Sequence, residues 1–110
     1  MSSASHRGWR DHAPVLTGSH IDTVRTGGRY DGNYGVIAGL EAIAALREVG
    51  LRPPRPLGVA VFTNEEGSRF QPDMMGSLVH AGGLDLAAAH AAIDRSGTTV
   101  GDELRRIGYL

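Results

Sequence analysis

Seven consecutive residues, Leu57–Thr63 (LGVAVFT), carry no charge, and the next three, Asn64-Glu65-Glu66, set two carboxylates side by side. An uncharged apolar run of this length, preceded by Pro56 and followed by Gly67, suits a strand buried on both faces, as in a parallel sheet. Ligands of such sheets bind at the carboxyl ends of the strands, which is where Glu65 and Glu66 fall. Two adjacent carboxylates there repel one another and lose hydration unless something positive stands nearby. A metal ion would relieve both costs, with one Glu as its ligand and the other as general base toward a water. The plainer alternative is a solvated loop whose acids face water.

The flanking pattern narrows the fold. Val15-Leu16-Thr17 is a second short apolar run, with Gly18-Ser19 expected to form its exit turn. From Ile21 to Gly35 the chain holds four glycines and few core residues, which predicts a long loop, and such loops in compact domains are usually functional. Residues 35–49 (GVIAGLEAIAALREV) predict a helix with Val36, Leu40, Ile43 and Leu46 on its core face, ended by Gly50 before the rigid Pro53, Pro54 and Pro56. Strand, loop, helix, strand is a βαβ-type unit, so the expected class is α/β, with a mainly parallel central sheet flanked by helices. Beyond Glu66 the signals weaken. An alanine-rich helix is expected over Leu84–Ile93, a turn at Ser96-Gly97, a cap at Thr98 or Thr99, and a short amphipathic helix over Val100–Ile107. The polar stretch 1–14 reads as a loose leader ahead of a domain covering 15–110.

Composition removes other classes of function. The chain has 110 residues, room for one small domain or a piece of a larger one, and 41% of them are hydrophobic, enough for a core. Eleven basic against 12 acidic residues leave a net charge of −1, which gives no general attraction to nucleic acid or to an anionic membrane. Aromatic residues make up 5%, too few for a base-stacking surface. No apolar run approaches the roughly 20 residues that span a bilayer, and the first 14 residues hold no apolar signal segment, so a cytoplasmic location is expected. There is no cysteine, so any metal site must use His and carboxylates.

Two further constellations supply such groups. In Gly18-Ser19-His20-Ile21-Asp22, alternate residues of an extended segment share a side, so His20 and Asp22 can meet. A carboxylate beside a metal-binding imidazole fixes its tautomer, which suits His20 as ligand and Asp22 as its orienting partner. The alternative is a His satisfied by a nearby acid at a strand end. In Gly27-Gly28-Arg29-Tyr30-Asp31-Gly32 the glycines permit a sharp turn that delivers Asp31 ahead of the helix. Alone, a plain Asp-Gly turn accounts for it as well. Together the three segments bring one imidazole and four carboxylates toward one sheet edge, a donor set that suits Zn, Mn or Co.

The order and spacing of GSHIDTVRTGGRYDGNYGV, VAVFTNEEGSRF, MMGS and DRSGTTVGDELRRIGY resemble the zinc-dependent amidohydrolases of the hydantoinase and carbamoylase family, over about residues 15–109. That family includes N-carbamoyl-L-amino-acid hydrolases, allantoate amidohydrolases and beta-ureidopropionases, within the wider aminoacylase and carboxypeptidase metallopeptidase superfamily. The resemblance implies a two-metal site, with His20 on one metal, Asp31 bridging both and Glu66 on the second. It also implies Glu65 as general base and Asp22 as the residue orienting His20. The implied reaction is hydrolysis of a linear C–N bond in an N-carbamoyl or ureido compound. An aminopeptidase, dipeptidase or aminoacylase activity of the same superfamily is the first alternative, and an inactive truncated fragment or metal-binding module the second. Family members are several times longer, add two later His ligands and carry a separate dimerisation domain, so the expectation is a partial catalytic domain of a homodimeric parent acting on a small molecule.

The remaining candidates have plainer roles. His80 and His90 lie where the resemblance offers no ligand, and solvent-facing or packing roles are expected of them; His6 and His12 have no motif support. Met74-Met75 could line a pocket, although packing is the commoner use of Met. Arg69 is expected in an ion pair or on a substrate, and Arg105-Arg106 on a solvated helix face.

Overall fold

The computed structural model describes residues 12–110, so His6 and most of the expected leader lie outside the described residues. The element order is β1 (Val15–His20), α1 (Asp31–Glu48), β2 (Leu57–Phe62), α2 (Met75–His80), α3 (Leu86–Ala91) and α4 (Val100–Arg106). β1 and β2 pair in parallel, with Val15 opposite Leu57 and His20 opposite Phe62, and α1 crosses between them. This is the expected α/β arrangement. Because the two strands are in step, they end side by side, and the segments that follow His20 and Phe62 leave the sheet at one edge.

Four features differ from expectation. β1 continues through Gly18 and Ser19, where a turn was expected, because both residues stay in the ladder opposite Ala60 and Val61. α1 begins at Asp31 rather than near Gly35, and α2 over Met75–His80 has no counterpart in the expected elements. The fourth difference concerns the helix face. Leu40, expected toward the core, is 56% exposed. α1 meets β1 instead through Gly32, Gly35 and Gly39, where an added Cβ would lie 2.4 Å from the His20 carbonyl oxygen, 2.7 Å from Ser19 and 2.7 Å from Thr17 respectively. A stripe without side chains lets the helix lie close against the strand; Val36, Ile43 and Leu46 are half-buried on that same side, and only Leu40 of the four departs from the expected face.

β2 is half-buried rather than covered on both faces, with Val61 48% exposed. Among the described residues the sheet has two strands, and α1 packs on it. The closed core lies elsewhere. Phe70, Met75, Ala89 and Val100 are buried together, with Val79, Leu84, Ala92 and Leu104 against them, between the loop after β2 and helices α2, α3 and α4. Met75 thus packs, while Met74 stands 49% exposed in the left-handed region.

Capping fixes the last two helices. Asp85 accepts from the Ala87 and Ala88 amides at the start of α3. Thr99 and Asp102 form a capping box at α4, meeting the expectation of a threonine cap. Gly97 takes φ 85° in the expected turn. Arg69 joins this region to the loop after β2. It donates to Asp94 through Nε at 3.0 Å and Nη2 at 2.9 Å, and its Nη1 lies 3.2 Å from Glu103. Arg106 pairs with Glu103 and Arg105 with Asp102, which places both arginines on a solvated helix face, as expected.

Asp94 also accepts from the Ser96 hydroxyl at 2.6 Å and from the Ser96 and Thr98 amides at 2.8 and 3.0 Å. Led by the Ser96 hydroxyl, these donors and Arg69 outweigh desolvation and hold the Asp94 carboxyl well below the usual carboxylate range. A depressed folded value stabilises the fold above the ordinary carboxylate pKa of about 4, and that stabilisation is lost as pH falls toward the folded value. Asp94→Asn is therefore expected to be less stable than the parent at pH 7, with the gap narrowing in acid below about pH 4. Urea unfolding at both pH values measures it, and a gap independent of pH would contradict the assignment.

Candidate metal centre

His20 is the last residue of β1 and the one buried polar side chain of the described core, at 7% exposure. Its ring lies under the first turn of α1, where Gly32 leaves no Cβ to collide with the imidazole. Its Nδ1 stands 2.9 Å from the main-chain carbonyl of Asp22. A carbonyl only accepts, so this contact puts the proton on Nδ1 and leaves the Nε2 lone pair free in the neutral ring. Nε2 faces Glu65 Oε2 at 3.3 Å.

The role expected of Asp22 is thereby divided. Its main chain sets the His20 tautomer, while its carboxylate Oδ1 stands 3.5 Å from Nδ1. The other oxygen, Oδ2, accepts from the Glu66 amide at 3.2 Å and so ties the end of β1 to the segment leaving β2. Oδ1 is buried with no hydrogen-bond partner. The sequence spacing correctly placed Asp22 beside His20, but it could not show that one carboxylate oxygen would be taken by a backbone amide 44 positions away.

Asp31 opens α1 and Glu66 follows β2. One ligand atom from each of His20, Asp31 and Glu66 lies within 4.8 Å of the others. Four of the five residues singled out from sequence, His20, Asp22, Glu65 and Glu66, are linked by the contacts above, and Asp31 joins them through Glu66. His80 is exposed and tilts against the Phe62 ring, with centroids 5.8 Å apart; it stands outside this group, as do half-buried His90 and exposed His12.

The electrostatics are those of crowded acids. The Glu66 carboxyl is pushed up, first by a hydrogen bond with the Asp31 carboxyl, then by desolvation and by the charges of Asp31 and Glu65. Desolvation works against a charged His20, but the Asp22 carbonyl and the charges of Glu65, Asp22 and Asp31 outweigh it, and the imidazole pKa rises. Among the described residues, His20 is the sole basic side chain paired with these acids. A neutral imidazole nitrogen and carboxylate oxygens at this separation fit a divalent cation such as zinc, which would replace the shared proton as counter-charge.

Two supporting residues had no sequence signal beyond their neighbours. The Ser19 hydroxyl donates to the Gly32 carbonyl at 2.8 Å and fastens the start of α1 to β1. Gly32 itself keeps Asp31 near the ring. In a helix Gly→Ala usually stabilises by about 0.5–1 kcal/mol. Here the new methyl group would meet the His20 carbonyl at 2.4 Å and the ring at 2.5 Å. Gly32→Ala is therefore expected to destabilise by about 1–3 kcal/mol, the usual range for overpacking. Chemical denaturation reads the sign, and a stabilised variant would show that the contact is slack.

Residues 16–104 match the sequence model of peptidase family M20/M25/M40. An N-carbamoyl-L-amino-acid amidohydrolase of Rhizobium meliloti is 48% identical over 91% of this chain and 24% of its own length. An allantoate amidohydrolase of Bacillus subtilis is 38% identical over 86% of this chain and 23% of its own. The crystal structure of a hydantoinase/carbamoylase family amidase from Burkholderia multivorans superimposes with a TM-score of 0.86 at 52% identity, over 90% of this chain and 24% of that one. The chain thus spans about a quarter of the length of the relatives it matches. With its βαβ unit and its His-Asp-Glu cluster at the strand ends, this chain belongs to the metal-dependent M20/M25/M40 peptidase family, and its solved neighbours are hydantoinase/carbamoylase amidases.

Proposed function

We propose that this chain forms part of a two-metal amidohydrolase site that cleaves a linear C–N bond in an N-carbamoyl or ureido compound, such as an N-carbamoyl amino acid or allantoate. The observation that carries the reading is the approach of His20, Asp31 and Glu66 ligand atoms to within 4.8 Å, with Glu65 against His20 Nε2 at 3.3 Å. The amidohydrolase names of the relatives support the bond type.

In this reading His20 Nε2 and Glu66 would each hold a divalent cation, zinc by preference over manganese or cobalt, with Asp31 shared between them. Bound there, the cations would polarise the substrate carbonyl and ease deprotonation of a water. Glu65 is the general base. It takes the proton from the attacking water and returns it to the leaving nitrogen as the C–N bond breaks. Asp22 keeps the His20 proton on Nδ1, so that Nε2 remains a donor atom, and holds the Glu66 backbone in place. The parent protein is proposed to be a cytoplasmic homodimer acting on a small molecule. Among the described residues no helix is long and apolar enough to cross a membrane.

The family description favours a second reading, a peptidase or aminoacylase. Ammonia release by the full-length protein from carbamoyl or ureido substrates, against amine release from dipeptides and N-acyl amino acids, separates the two. Glu65→Gln in that protein is expected to lower kcat by about 10²–10⁴-fold with metal content unchanged, the usual contribution of a positioned base. Normal turnover by that variant would overturn the assignment.

A further inference from the structure

The two adjacent glutamates are useful to a metal centre only if their backbone is held, and they sit in a loop that must leave β2 and return to start α2. Three main-chain bonds close its neck: Gly76 N–H to Thr63 O at 3.0 Å, Met75 N–H to Asn64 O at 3.2 Å, and Met74 N–H to Glu65 O at 2.7 Å. Two side chains bridge the loop: Gln71 Nε2 donates to the Gly67 carbonyl at 2.7 Å within it, and Asn64 spans it from the end of β2. Asn64 Nδ2 donates to the Phe70 carbonyl at 2.9 Å and to the Pro72 carbonyl at 3.1 Å, so both amide protons are used. Asn64 itself adopts φ 54°, a conformation that Asn tolerates better than other side-chain-bearing residues. Phe70 is buried in the core at 7% exposure, so the far side of the loop is fixed to packed structure. Asn64 thus joins the end of β2 to an anchored point across the loop, immediately before Glu65.

We propose that Asn64 is a positioning residue, whose side-chain amide clamps the 65–74 loop and so fixes Glu65 and Glu66 relative to His20 and Asp31. Neither glutamate touches the Asn64 amide, and the effect passes through the backbone. This inference rests on the metal-site reading above.

The test measures zinc affinity by calorimetry for the chain and three variants, beside their thermal melts. Asn64→Asp preserves size but removes both donors and sets a negative charge against two carbonyl oxygens. Asn64→Gly keeps the left-handed backbone available and removes the clamp alone. Arg106→Ala breaks the ion pair with Glu103 at α4, away from the site, and serves as a control for lost stability. Both Asn64 variants are expected to bind zinc about tenfold or more weakly, the scale seen when supports of metal ligands are removed. Arg106→Ala should lower the melting temperature and leave zinc affinity unchanged. Zinc binding as tight in the folded Asn64→Gly or Asn64→Asp variant as in the parent chain would overturn the clamp alone. Equal loss of affinity in Arg106→Ala would also overturn it, by tracing the effect to stability. Failure of the unsubstituted chain to bind zinc would overturn the metal-site reading and the clamp with it.

Discussion

The acids at the end of the sheet repel one another, and the structure holds them together. Asp31, Glu65 and Glu66 converge on one imidazole, and among the described residues no lysine or arginine pairs with them. Such a cluster costs free energy in a metal-free chain, which is why Glu66 retains a proton more readily than an ordinary glutamate and His20 gains one more readily than an ordinary histidine. The backbone supplies the restraint. In-step parallel pairing ends both strands at one edge, Gly32 admits the first turn of α1 over the His20 ring, and Asp22 Oδ2 ties the Glu66 amide back to β1. In the proposed reading a divalent cation would turn the same repulsion into attraction, so that a site costly without metal would become favourable with it.

Much of this was legible in the sequence because each part depends on residue type and short spacing. The uncharged run 57–63 followed by two glutamates marked a strand and the acids at its end. Val15-Leu16-Thr17 marked a second strand, with His20 and Asp22 two apart at its end, and a cap was expected at Thr98 or Thr99, of which Thr99 serves. What escaped were relations between distant residues. Gly32, Gly35 and Gly39 carry no apolar signal, yet they make the close approach to β1; Val36, Ile43 and Leu46 are half-buried on that side, and the periodicity misplaced only Leu40. α2 was missed because six residues around an exposed Met74 and a helical Gly76 give too short a pattern. The tautomer of His20 was assigned to the Asp22 side chain, whereas the nearer partner is its carbonyl, a group every residue possesses.

The chain matches one part of its longer relatives. It covers about a quarter of their length, and Leu16, Ile37, Leu40 and Val61 are between 45% and 64% exposed. The compact packing lies in the α2, α3 and α4 region, and Arg69 ties the loop after β2 to it through Asp94 and Glu103. The glutamate loop therefore has support on both sides, from the sheet through Thr63 and from this core through Phe70. That support is independent of the exposed faces of α1 and the strands.

The central claim is that His20 Nε2, Asp31 and Glu66 ligate metal at the shared end of β1 and β2. Anomalous diffraction at the zinc edge, from crystals of the zinc-loaded protein, tests it most directly. Zinc is expected between these three side chains, with a His20 Nε2 distance of about 2.0–2.1 Å and carboxylate oxygens at about 2.0–2.2 Å. Zinc found on His80 or His90 instead, or bound through His20 Nδ1, would contradict it.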